Sequence, residues 1–205
     1  SFLDIKESGL VEISDGWLTG QKISTFSDSS GVYVGSLANM GVDLVHIEKH
    51  LSKPKDFFDC LNHSYNPETL LIHVPDGVTL GSPIYIKIQS LTAGLVACPR
   101  IIVNLGENSE AKIIEHHLSS SGESLSVPVL DVHVGQNSRL KHRVVQDLGQ
   151  KTWQVSKQNF RLEKDSYVEI FAAAFGGDYA RNEIRCELKG RGSEAYLSAA
   201  YFGKK

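Results

Sequence analysis

The stretch IVNLGENSEAKIIEHH, residues 102–117, closes on a carboxylate and two imidazoles, Glu115-His116-His117. On a β-strand, residues two apart share a face, so Glu115 and His117 point one way while His116 points the other with Ile114. Imidazole and carboxylate suit divalent iron or zinc, which gives an E-x-H pair the chemistry of a metal or acid–base site. A metal needs at least one more donor, and His133 and His142 are the histidines that could lie one structural repeat along. The competing expectation is that one of the triplet is a hydrogen-bonded interior or rim residue and the others are solvated, because the outer faces of repetitive β-structures tolerate polar residues freely. The residues alone favour this second reading, a rung rather than a site.

The thiols come next. Cys60, Cys98 and Cys186 are odd in number, widely spaced and form no C-x-x-C pair, so neither a disulfide framework nor a zinc knuckle is indicated, and a reducing compartment fits. In NEIRCEL the alternation puts Ile184, Cys186 and Leu188 on one inward face, with Glu183, Arg185 and Glu187 towards water, so Cys186 is expected to be a small buried hydrophobe and an inert thiol. Cys98 precedes Pro99 at a strand entrance and Cys60 sits beside Phe57 and Phe58; both are expected to be packing residues, as are Trp17 and Trp153. Gly176-Gly177 with Arg181 reads as a backbone device, the glycines permitting close approach or positive φ and the guanidinium satisfying carbonyls at the turn. A phosphate site is the weaker alternative, since two glycines specify little.

These residues hang on a repetitive frame. From residue 69 onward short alternating segments follow one another with almost no helical periodicity: LLIHV, IYIKI, RIIVNL, AKIIEHHL, LDVHV, RLKHRVV, YVEIFAAAF and AYLSAAYF. Aligning HVPDGVTLGSPI, NLGENSEAKII, HVGQNSRLKHR, RLEKDSYVEIF and ELKGRGSEAYL gives strand, polar turn, strand each time, with steps of 29 from Ser109 to Ser138, 28 to Ser166 and 27 to Ser193. One turn chemistry at one period is what stacked coils require, since each coil must bend at the same place, and a sandwich or barrel has no such need. The expected architecture is mainly β: a solenoid of stacked β-coils over 69–205, preceded by a mixed α/β segment over 1–68. In that segment VEISDGWLTGQKIS reads as a hairpin on Asp15-Gly16, and HIEKHLSKPKDFFDCLNHSYN as helical, with Val45, Leu51, Phe57, Phe58 and Leu61 apolar and Pro54 interrupting.

Composition excludes more than it assigns. With 205 residues, 41% hydrophobic and 22% charged, a formal charge of −3 offers no electrostatic reason for nucleic acid or an anionic membrane as partner. No apolar run approaches the roughly 20 residues of a membrane span, and SFLDIKESG lacks the basic and apolar regions of an export signal, so the expected location is cytoplasmic. A start without Met and a stop at AAYFGKK in mid-strand pattern lead us to expect a fragment of a longer protein.

DFFDCLNHSYNPETLLIHVPDGVTLGSPIYI, PRIIVNLGENSEAKIIEHHLSS and FGGDYARNEIRCELKGRGSEAYLSAAYF occur in the order and form of segments of the SufB/SufD iron–sulfur cluster assembly family, which the chain resembles from about residue 30 to its end. It looks more like SufD, having no SufB-like cysteine-bearing segment. The resemblance implies a right-handed parallel β-helix scaffold that associates with a SufB-like subunit and a SufC-like ABC ATPase. It implies that nucleotide hydrolysis lies in the ATPase, that no cofactor is held stably by this chain, and that iron or an iron–sulfur cluster passes transiently through the complex. A homodimer in isolation is a further expectation. No G-x-x-x-x-G-K-[ST] loop occurs here, and the Lys-Cys-Ser-His-Gly-Ala-like segment that carries a functional histidine in SufD relatives is not in this sequence. In this light Cys186 and Glu115 are the candidates for contact with the cluster or its sulfur, and His117 and His133 those for a metal. Two other classes are weighed: a secreted-type β-helix enzyme acting on acidic polysaccharide, which needs clustered exposed carboxylates where these are scattered, and a hexapeptide acyltransferase, whose six-residue period is absent.

Overall fold

The computed structural model describes residues 9–23, 31–40 and 53–203. The strands are β1 (Gly9–Ser14), β2 (Trp17–Ile23), β3 (Tyr33–Ser36), β4 (Thr69–Val74), β5 (Ile84–Ser90), β6 (Val96–Ala97), β7 (Arg100–Leu105) and β8 (Glu110–Ser119). They continue with β9 (Ser124–Ser126), β10 (Val129–Val134), β11 (Arg139–Leu148), β12 (Thr152–Leu162), β13 (Tyr167–Gly176), β14 (Tyr179–Leu188) and β15 (Glu194–Phe202). Among the described residues one α-helix, α1 (Phe57–Tyr65), precedes β4. Val45 and Leu51, named above for a helical face, lie outside the described residues.

The chain winds as a parallel β-solenoid of about five turns. Each turn gives one strand to a first sheet, ordered β15-β13-β11-β8-β5-β1-β2, and one to a second sheet that carries β4, β7, β10, β12 and β14. From β4 onward the chain alternates between the two sheets, β6 with β7 and β9 with β10 each staying together in the second, and strands one coil apart pair in parallel: Val144 beside Glu115, Phe160 beside Val132, Cys186 beside Phe160. The hairpin expected at Asp15-Gly16 is present, with both residues at positive φ (53° and 92°), and β1 continues the first sheet by pairing in parallel with β5.

The recurring turn has a physical basis. At this turn each coil places one residue in the left-handed region: Gly77, Asn108, Asn137, Asp165 and Gly192, with φ between 54° and 77°. Asn, Asp and Gly tolerate that region best. The serine that follows ties the bend: Ser109, Ser166 and Ser193 donate their hydroxyls to the carbonyls of Gly106, Glu163 and Gly190 at 2.8, 2.6 and 2.8 Å. Ser138 donates instead to Gly106 O of the preceding coil, at 2.5 Å. At Gly135 the backbone passes so close to the coil below that a Cβ would stand 2.7 Å from Gly106 C and O.

Inside, Ile72, Val103, Val132 and Phe160 form one column, each at most 2% exposed. Burying each such side chain contributes on the order of 2 kcal/mol. On the outside, Pro99 and Pro128 interrupt the second wall between β6 and β7 and between β9 and β10, because proline cannot donate to a ladder. Helix α1 covers the break. Its Asn62 amide donates to Pro99 O at 3.0 Å and Val127 O at 2.8 Å, while buried Lys157 is held by Asp59, at 2.9 Å, and by Asp56. Buried Arg100 pairs with Asp131 at 2.6 Å alongside. No described helix is long and apolar enough to cross a membrane.

Candidate functional site

Glu115 and His117 do share a face, and it is the inward one. The expectation that at most one of the triplet would be interior is corrected: Glu115 and His117 are both 2% exposed. His116 is the outward member, bonded through Nδ1 to the Tyr85 hydroxyl, and burial pushes its pKa down. Polar residues are on the inner wall here because β8, β11 and β12 present them to one another across the column and so supply mutual partners.

The cluster centres on the Glu115 carboxylate. His142 Nε2, from the next coil, lies 2.8 Å from Oε1, and His117 Nε2 lies 3.1 Å from Oε2. Gln154 Nε2 reaches His117 Nδ1 from the opposite wall at 3.0 Å. Burial works to raise the Glu115 pKa, but the attraction of His142 and hydrogen bonds from His117 and His142 outweigh it and hold the pKa at about 2. The group is therefore an ionised carboxylate to which both imidazole Nε2 atoms donate, with His117 Nδ1 accepting from Gln154. The Phe160 ring tilts against His142, their centroids 5.6 Å apart.

The other candidates stand apart. His133 faces outward, its Nδ1 3.0 Å from Asn104 Oδ1 and its Nε2 3.5 Å from Glu163 Oε1, in a groove also lined by His73 and Asp76. Cys186 is on the inward face, in register with Phe160, as its alternation requires. It is nevertheless exposed, as is Leu188, because β14 has a paired neighbour on one side alone among the described residues; the expectation of a buried thiol is corrected. Packing still pushes the Cys186 thiol pKa up. Cys98 is buried as expected, whereas Cys60 is exposed on α1. Gly176 and Gly177 have positive φ, and a Cβ on Gly176 would fall 2.2 Å from Leu148 O, but Arg181 pairs with Glu183 at 2.9 Å and not with turn carbonyls. Trp17 and Trp153 are more than half exposed, Trp153 donating to Asp178 at 2.7 Å.

What the reading missed is the glutamine set. Gln154, Ser156 and Gln158 precede Phe160 at alternate positions of β12, a period-two signal legible once Phe160 is known to point inward. The arrangement can hold and share protons, but nothing the size of a sugar reaches it. It is sealed between two walls.

A family model described as SUF system FeS cluster assembly, SufBD core domain, matches residues 88–205, the coils that carry this cluster. Among curated proteins, Protein ABCI7, chloroplastic, of Arabidopsis thaliana is 26% identical over 190 residues. The similarity covers 87% of this chain and 40% of the relative, so the chain spans well under half of that protein's length.

Proposed function

Because the chain belongs to the SufBD core-domain family of the SUF iron–sulfur cluster assembly system, we propose that it is the β-solenoid of a SufD-type scaffold subunit, associating with a SufB-like subunit and a SufC-like ABC ATPase. The observation that carries this reading is the family match across the coils themselves, residues 88–205. The geometry supports a scaffold over a catalyst: the carboxylate–histidine cluster is closed to substrate, and no phosphate-binding loop occurs in the sequence. Iron or a nascent cluster is cargo of the assembled complex, with Cys186 a thiol exposed among the described residues and His133 an imidazole lining a solvent groove. The compartment is a reducing one, the cytoplasm or a plastid like that in the relative's name, consistent with three free thiols. No observation favours the polysaccharide reading.

The test is affinity purification of the full-length parent protein from native extract, with bound chains identified by mass spectrometry. Co-purification of a SufB-like protein and a Walker-motif ATPase is the expected result. A full-length protein that is monomeric and indifferent to both when they are supplied would overturn the proposal.

A further inference from the structure

Five inward-directed side-chain atoms among the described residues have no protein hydrogen-bond partner: His142 Nδ1, Gln146 Nε2, Gln158 Nε2 and Oε1, and Asn182 Oδ1. They are not scattered. Gln146 stands in register with His117, Asn182 with Ser156, and Gln158 follows Ser156 by two positions on the inner face of β12. Gln154 crosses to His117, and Phe160 touches His142, so the two walls turn these residues, from three successive coils, towards one stretch of the interior. Buried polar atoms are satisfied by protein or by bound water in nearly all folded chains. Leaving five unpaired would cost a stability comparable to that of a whole small domain.

The chemistry of the five atoms selects the guest. Gln146 Nε2 and one end of Gln158 donate, while the other end of Gln158 and Asn182 Oδ1 accept; His142 Nδ1 accepts or donates with the state of the ring. Exchanging the two ends of the Gln158 amide leaves that balance unchanged. An anion would be repelled by the acceptors and by ionised Glu115, and a cation would face amide donors. A small neutral molecule that both donates and accepts meets every requirement. We propose that the inner faces of β11, β12 and β14 hold a short chain of ordered water, joining Gln146, Gln158 and Asn182 to the Glu115–His117–His142 cluster. The interior of this solenoid is thereby divided in two, dry along the Ile72–Phe160 column and wet beside it.

Two measurements on the full-length protein test this independently of its partners. A high-resolution crystal structure is expected to show water within hydrogen-bond distance of Gln158 and of His142 Nδ1. Gln158→Leu is expected to lower the melting temperature, by roughly 2–10 °C, because it strands the water and the remaining polar atoms. In a dry interior the same substitution removes two unpaired groups and raises the melting temperature. Density showing the Gln158 amide bonded to protein with no water beside it overturns the proposal, as does a Gln158→Leu protein more stable than the parent. Should that variant fail to fold, the density at Gln158 in the parent decides.

Discussion

Replacing Glu115 by Gln removes the charge and keeps the shape. In the folded protein the carboxyl pKa is about 2, against 4.5 for the free side chain. A difference of about 2.5 units is worth about 3 kcal/mol. Because the folded value is the lower one, the unfolded chain binds more protons, and the stabilisation is complete above about pH 4.5 and lost as pH falls through about 2. Glu115→Gln also turns an amide N–H towards one of the two imidazoles that donate at 2.8 and 3.1 Å, so that a donor meets a donor. At pH 7 the expected loss is about 3 kcal/mol, or roughly 6–12 °C in melting temperature for a chain of this size. The assay is thermal and urea unfolding of the full-length protein between pH 7 and pH 3. The parent should lose stability more steeply than the variant as pH falls below about 4.5. A variant that melts with the parent at pH 7 and follows the same acid limb would refute the account of Glu115 as a buried, ionised acceptor. A companion change separates the charge from the stranded donors: Glu115→Leu alone should cost more than Glu115→Leu combined with His117→Leu and His142→Leu, since breaking a buried polar cluster is worse than replacing it whole.

Gly135→Ala should destabilise by about 1–3 kcal/mol, because its Cβ would press 2.7 Å from the backbone of Gly106, whereas Gly81→Ala, with nothing within 4 Å, should be neutral; paired urea curves decide. Asp131→Ala leaves buried Arg100 without its 2.6 Å partner and should cost about 3–5 kcal/mol, read as a drop in urea midpoint at unchanged slope. With a maleimide at neutral pH, exposed Cys60 should label in the native protein, while Cys98, buried and with its thiol pKa pushed up, should label after denaturation alone; native labelling of Cys98 would contradict its placement.

The architecture was legible because two local rules repeat. Ser109, Ser138, Ser166 and Ser193 each follow a residue at positive φ, and that chemistry is written in Asn, Asp and Gly regardless of what the coil packs against. Alternation likewise put Cys186 on the same face as Ile184 and Leu188, and the register with Phe160 agrees. Depth is a different property from direction. A residue facing the column is buried where another rung lies over it, and Cys186 shows that an inward side chain can still meet solvent. The polar cluster was hidden for the converse reason. Glu115 and His117 look like surface residues one strand at a time, and they become tolerable inside because His142 arrives from the next coil and Gln154 from the opposite wall. Those partners are 27 and 37 residues away in sequence, separations that no window of local pattern spans. The same holds for α1, whose Asn62 is explained by carbonyls freed at Pro99 and Val127. A solenoid therefore discloses its path through short-range signals and conceals its chemistry in contacts between coils, and the residues most worth altering are those whose polarity contradicts the face their alternation assigns them.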